Sequence, residues 1–425
     1  LRGETFYSKL NPLLDDVNKH CVAINDDSRK LCVNTTLGIV NAIIDKLKAD
    51  DPVFNYFYNK LAYVGSFFDG LRVKEATEFD LNMILRIPCY LEKIKVENSN
   101  VINGFVRLNV EDAVFEGAKL NDLPCAKEWK KWIDNEYLYP SKILAWMDSV
   151  FSKISNNGKM NVNCNGKMYE VTRSKNGPAN TLHITERHFK IDVDIVPVIQ
   201  FPPTIQPPSP VRWLQDKAAP WEVVPKPVAV KTFWRLSFSE QERNLLHGQK
   251  HLKFVNRLLK RFRDANNLDI SSYYIKSLFL WEAHEQKQRN DELFWEKPVS
   301  YLFVYMLVKL LETLKKKKLK FFWHKKMNMY YKSNTEQCKS NTEKCKSNTA
   351  KRKSNTAKCK SNTDETLENM EGLVRRIILT INKLIEQNDD KALKTYIYKI
   401  FGISDLLVDE EGASSLMNKL TVGIY

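Results

Sequence analysis

The chain has 425 residues, 43% hydrophobic and 28% charged, so it holds enough apolar material for a sizeable core and is too long for one ordinary domain; wholesale disorder is excluded. Its 66 Lys and Arg against 51 Asp and Glu leave a formal charge of +15, which favours a polyanionic partner, nucleic acid or an anionic membrane surface, without choosing between them. The best apolar run, Tyr301 to Val308, meets Lys309 well short of the roughly 20 residues of a spanning helix.

No secretory signal is visible in the opening LRGETFYSKL, and the eight cysteines form no CxxC pairs. A reducing, cytoplasmic protein that does not enter the membrane is expected. Opening on Leu1 rather than Met, the sequence reads as a fragment or a trimmed chain.

Residues 1–60 read as helix, with Leu10, Leu13, Leu14 and Val17, then Ile39, Val40, Ile43, Ile44 and Leu47, at helical spacing; Thr35 or Thr36 is the candidate cap of the second stretch. From Leu61 the period changes. Phe79, Leu81, Met83 and Leu85 alternate with polar residues in a strand pattern broken only at Ile84. Further strands are predicted at 102–110, 167–172, 181–185 and 189–199, with helix returning between Asp122 and Lys153. This is an α+β or α/β first lobe behind a spine helix.

Nine of the 16 prolines fall between Pro197 and Pro227, and FPPTIQPPSP is read as irregular chain near a hinge. From Ser239 onward the periodicity is almost purely helical, so a first lobe over 1–212 and a helical second lobe over 213–425 are expected. Within the second, a seven-residue KSNT repeat fills Lys332–Thr363 without apolar a and d positions, and reads as a disordered basic insertion in a loop. Cys338, Cys345 and Cys359 within it are not spaced as a metal site.

The densest chemistry lies in YVGSFFDGLRVKEATEFDLNMIL. On a strand, Glu78 and Asp80 project from one face, and adjacent carboxylates repel unless a cation neutralises them, as in two-metal phosphoryl-transfer sites. Gly65 lets a phosphate approach the backbone, and Ser66 offers a hydroxyl and an amide. In FKIDVDIVPVI, Asp192 or Asp194 supplies a third carboxylate; Asp194, deeper in apolar neighbours, is the better choice and the one placed to assist deprotonation.

Five blocks in order, GSFFDGLRVKEATEFDLNMIL, NGPANTLHI, VDIVPVI, VPKPVAVKTFWRLSFSEQER and LDISSYYIKSLFLWE, resemble the cyclic GMP-AMP synthase family and its animal receptors. The resemblance implies a bilobal α+β nucleotidyltransferase fold, a mixed sheet with an N-terminal spine helix and a C-terminal helical bundle. It implies that Gly65 and Ser66 contact nucleotide phosphates and that Glu78, Asp80 and Asp194 hold two Mg²⁺ or Mn²⁺ ions. Arg235, with Ser237 and Ser239 beside it, corresponds to a base contact, Ser272 to a phosphate contact, Tyr273 to a stacking aromatic, and Lys253 (or Lys250) to a triphosphate contact.

The family's vertebrate zinc insertion, one His and three Cys, is absent between the SFS block and the next helix, so no such zinc site is expected. His247 and His251, at i and i+4, lack a third ligand and are read as surface histidines. Without that zinc insertion, which in the family clamps double-stranded DNA, the chain is more similar to the insect-type receptors, which implies a double-stranded RNA activator and a cyclic dinucleotide product from ATP and GTP, read downstream by a receptor of the STING type. Candidate backbone contacts are Arg257, Lys260 and Arg261 with Arg263, the run Lys315, Lys316, Lys317 and Lys318, and Lys127, Lys130 and Lys131 beside two tryptophans. The rival readings are a catalytically silent nucleic-acid-binding member, disfavoured by the complete carboxylate set, a sensor of another ligand, and a template-independent polymerase, which lacks the WRLSFS and SSY blocks.

Overall fold

The computed structural model describes residues 1–24, 26–99, 103–153, 158–187, 189–215, 218–226, 231–331 and 363–403. The KSNT repeat expected as a disordered insertion lies, up to residue 362, outside the described residues. The fold is α+β. It divides into two compact units: one takes Ile24–His247 and the hairpin that follows Lys320; the other takes Leu1–Ala23, Gly248–Leu319 and the two C-terminal helices.

The spine helix runs unbroken over Asp26–Asp50. Ile39, Val40, Ile43, Ile44 and Leu47 are all buried, as their spacing predicts. Thr35 and Thr36 lie inside this helix and are buried, so neither is a cap. Gly38 allows the helix its close approach to the sheet, because a Cβ there would stand 2.8 Å from the Cys164 sulfur. Asp51 caps the next helix, Pro52–Phe57, by accepting from the Val53 and Phe54 amides, and the proline fills a first-turn position where no donor is needed. The expected helix through residue 60 gives way at Tyr58 to the first strand.

The sheet is twelve-stranded. In chain order its strands are β1 (Tyr58–Val64), β2 (Glu78–Leu85), β3 (Lys95–Asn98), β4 (Phe105–Asn109), β5 (Ile133–Asp134), β6 (Tyr137–Leu138), β7 (Lys159–Cys164), β8 (Lys167–Asn176), β9 (Ala179–Glu186), β10 (Phe189–Phe201), β11 (Trp221–Pro225) and β12 (Trp234–Ser237). The longest, β10, joins the two halves: its first part pairs with β9 and β2, and its last three residues with β11. The β2–β10 pair is parallel, and among the described residues every other pair in this sheet is antiparallel.

The lobe boundary expected at 212/213 differs from the contact division at 247/248. The physical reason is that β11 and β12 continue the sheet beyond the proline-rich run, with Trp221 stacked on Phe201 at 4.4 Å. The basic run KKKKLKFFWHKK also contains more than surface. Its centre forms a small hairpin, β13 (Lys320–Phe321) and β14 (His324–Asn328), anchored by a buried Trp323 that stacks on Phe238 at 4.3 Å and donates to Glu242 at 2.8 Å.

The helical unit is built from Leu252–Ala265, Ser272–Gln288, Val299–Lys315, Asp364–Glu386 and Asp390–Ile400, as the sequence period predicts. No described helix is long and apolar enough to cross a membrane.

Candidate active site

Side chains alternate across a strand, so the β2–β10–β9–β8 ladder sets polar residues of four strands in two adjacent rows on one face. Glu78, Asp192, His183 and Thr172 are register partners in the first row; Asp80, Asp194, Thr181 and Ser174 form the second. The residues between them turn to the opposite face: Phe79, Leu81, Val193 and Ile195 are fully or almost fully buried.

Phe79 also contacts the Gly-Ser turn. Its ring lies 4.5 Å from Phe67 and 5.7 Å from Phe68, which belong to the one-turn helix Gly65–Phe68 at the end of β1. Gly65 has φ +79°, and a Cβ there would fall 1.9 Å from the Asp80 Oδ2. Only glycine combines that backbone conformation with a carboxylate packed against its Cα. Arg243, on the helix Ser239–Leu246, braces the same turn by pairing with the buried Asp69 at 3.3 Å and donating to the Tyr63 carbonyl.

The charges of the two rows are unevenly matched. Arg72 donates to the Glu78 Oε2 at 2.7 Å, and its guanidinium is held in place by the Glu75 carbonyl at 3.1 Å and the Thr77 hydroxyl at 3.3 Å. His183 joins Asp192 through Nδ1 at 2.7 Å and Ser174 through Nε2 at 2.7 Å. Asp194 accepts from the Thr181 hydroxyl at 2.5 Å, yet its pKa is raised, chiefly by burial, with the Glu78 and Asp192 charges adding to it. Asp80 is pushed up to about 6, first by burial and then by the Glu78 and Asp194 charges, with Arg72 only partly opposing.

Negative charge is thus concentrated beyond what the protein's own cations neutralise, which is the donor chemistry a hard divalent ion takes. Among the described residues, however, no group of three or more His, Cys, Asp or Glu side chains converges into a metal-holding geometry. Glu78 is turned to Arg72 and Asp194 to Thr181, so these side chains must reorient for a shared ion.

The other expected site residues are distributed between the units. Arg235 sits half-buried on β12, opposite Val224. Ser239 donates to Glu222 at 3.4 Å, a buried carboxylate that also accepts from Asn82 at 2.8 Å and Gln200 at 3.3 Å. In the helical unit Lys253 and Tyr273 are half-buried, and Ser272 opens its helix, exposed and accepting from Arg263 at 3.0 Å, while Ser271 caps the helix through the Tyr274 amide. Arg257 is half-buried and Lys260 buried; Arg261 donates to the Phe401 and Gly402 carbonyls; Lys317 pairs with Asp364 and Glu368. Lys315, Lys316 and Lys318 are exposed.

Sequence reasoning missed Arg72, Thr181, His183 and Glu222. The i, i+2 alternation of TLHIT already puts Thr181 and His183 on one face, and the apolar setting of Glu222 is the signal used for Asp194.

Residues 67–248 match the family model of the Mab-21 protein nucleotidyltransferase domain, and residues 249–347 that of the Mab-21 protein HhH/H2TH-like domain. A cyclic GMP-AMP synthase-like receptor of Aethina tumida is 32% identical over 334 residues, covering 76% of this chain and 83% of the relative. The chain belongs to the cyclic GMP-AMP synthase-like receptor family. A member from Ctenocephalides felis is 31% identical, with 76% and 80% covered, and receptor 1 of Drosophila melanogaster is 29% identical, with 68% and 79% covered. The family's domain boundary, 248/249, falls within one residue of the division between the compact units.

Proposed function

We propose that this nucleotidyltransferase is a nucleic-acid-activated enzyme that joins ATP and GTP into a cyclic dinucleotide. The observation that carries the reading is the carboxylate pair Asp80 and Asp194, in register on neighbouring strands, both raised in pKa, with Asp80 packed against a glycine that tolerates no side chain. Glu78, Asp80 and Asp194 would hold two Mg²⁺ or Mn²⁺ ions, which lower the pKa of an attacking ribose hydroxyl and neutralise charge on the leaving pyrophosphate. The Gly65 backbone and the Ser66 hydroxyl bind substrate phosphates, and Asp194 assists deprotonation. Arg235 is proposed as a base contact; Lys253, Ser272 and Tyr273 are proposed as nucleotide contacts on the helical unit.

Double-stranded RNA is the proposed activator, supported by the +15 charge and the run Lys315, Lys316 and Lys318, which suits a sequence-independent, salt-sensitive grip on the phosphate backbone. The relatives' names support a cyclic GMP-AMP type of product. Synthesis in the cytoplasm and reading by a receptor of the STING type are proposed with it. The test is incubation with labelled ATP, GTP and Mg²⁺ or Mn²⁺, with and without double-stranded RNA or DNA, resolved by chromatography and nuclease digestion. A cyclic dinucleotide that appears only with RNA is the expected result. Equal activation by DNA of the same length, or full product without nucleic acid, overturns the RNA assignment.

A further inference from the structure

At the far end of the β1–β2 pair from the carboxylates lies a concave site. A cavity of about 470 Å³ opens between the end of the spine helix, the Pro52–Phe57 helix and the outer ends of β1 and β2. Its polar lining is Lys48, Asn55, Tyr56, Tyr58, Asn59 and Arg86, and no carboxylate lines it. We propose that this pocket is a binding site for the phosphate of a nucleotide or of a nucleic-acid backbone.

Arg86 follows directly on the buried end of β2, is exposed, and forms no ion pair among the described residues. An Arg fork left without a carboxylate is matched to phosphate oxygens. Lys48 lies 4.3 Å above the Tyr58 ring, and its ion pair with Asp45 is long at 3.5 Å, so the ammonium stays at the pocket. The nearby Asp51 carboxylate is already committed, capping its helix and pairing with Lys153 at 3.2 Å. Two cations, two phenols and two carboxamides supply many more donors than a carboxylate ligand can accept, and the tyrosine rings offer apolar faces to a sugar or base.

The pocket is distinct from the carboxylate site. Register pairs Tyr58 with Leu85 at its end and Val64 with Asp80 at the other, which separates the two by about 20 Å of strand. The inference stands apart from the transferase reading, and its test needs no turnover.

Calorimetry with pyrophosphate at low salt in EDTA isolates the pocket, because without divalent ions the Asp80 and Asp194 face repels the ligand. Wild type should bind, and Lys48→Gln with Arg86→Gln should weaken binding about tenfold or more. Asn59→Asp, which keeps both cations but adds a negative charge, should weaken it too, and thermal unfolding checks that each variant folds. Wild-type affinity in both pocket variants, or no binding by wild type, overturns the proposal. A short RNA duplex that displaces pyrophosphate assigns the site to the nucleic-acid backbone; pyrophosphate retained under saturating duplex assigns it to a free nucleotide.

Discussion

Both units bury carboxylates, but they treat them in opposite ways. In the helical unit Glu282 is 3% exposed and fully answered: it accepts from Gln286 at 2.5 Å, Tyr305 at 2.7 Å and Lys309 at 3.0 Å. Burial alone would lower the Lys309 pKa, yet the Glu282 charge and hydrogen bond raise it, and Tyr305 is pushed up to about 12 by burial and its bond to the same carboxylate. In the sheet unit Asp80 has no such ammonium, and burial first, then the Glu78 and Asp194 charges, push its pKa up to about 6. A carboxylate matched from inside serves the fold; one left unmatched, like Asp80, is the kind proposed above to take an external cation.

The sharpest test of the comparison is the double change Glu78→Gln with Asp80→Asn. Product formation should fall below detection while the circular dichroism spectrum is kept; near wild-type turnover would show that the charge surplus is not catalytic. Lys309→Met should do the reverse, lowering unfolding free energy by about 3–5 kcal/mol in a denaturant titration, since it strands a buried carboxylate, with cation affinity unaltered.

Gly65→Ala strikes the join between turn and carboxylate. Its Cβ cannot coexist with the Asp80 side chain, so a stability loss of about 1–3 kcal/mol with a larger fall in turnover is expected, read by calorimetry and product assay.

Asp80→Asn alone should stabilise the protein. The folded pKa is raised, so the native state holds the proton more tightly than the unfolded chain, and stability is lost as pH rises from the ordinary aspartate value to about 6. The gain, about 1–3 kcal/mol, should therefore be full above pH about 6 and vanish in acid, and Mg²⁺ should mimic it in wild type. The smallest effect is expected from Arg72→Gln, which frees Glu78 and should tighten Mn²⁺ binding several-fold in a spin-resonance titration, because a resident competitor is gone.

How far these features were legible follows from the kind of information each needs. Glu78 and Asp80, two apart on a patterned strand, are visible locally, as are the helices beyond Ser239. The choice of Asp194 over Asp192 rests on its apolar setting, and the structure adds what spacing cannot: His183 draws Asp192 into a hydrogen-bonded chain with Ser174. Arg72 escaped notice because a loop residue's partner depends on how the loop folds back. β11 and β12 escaped because short strands beside many prolines carry too few residues to show a period.

The parallel pairing of β2 with β10 has a bearing on how the protein comes into being. Hairpins such as β8–β9 and β9–β10 can zip from their turns, but Asp80 and Asp194 lie more than a hundred residues apart and share no turn. A ribosome must deliver β10 before the two carboxylates face one another, and closing the long loop between them carries an entropic cost that the hairpins do not. A nascent or truncated chain ending short of β10 therefore carries Gly65, Ser66, Glu78 and Asp80 without the Asp194 that the structure sets beside Asp80, and on the proposed function it should be inactive.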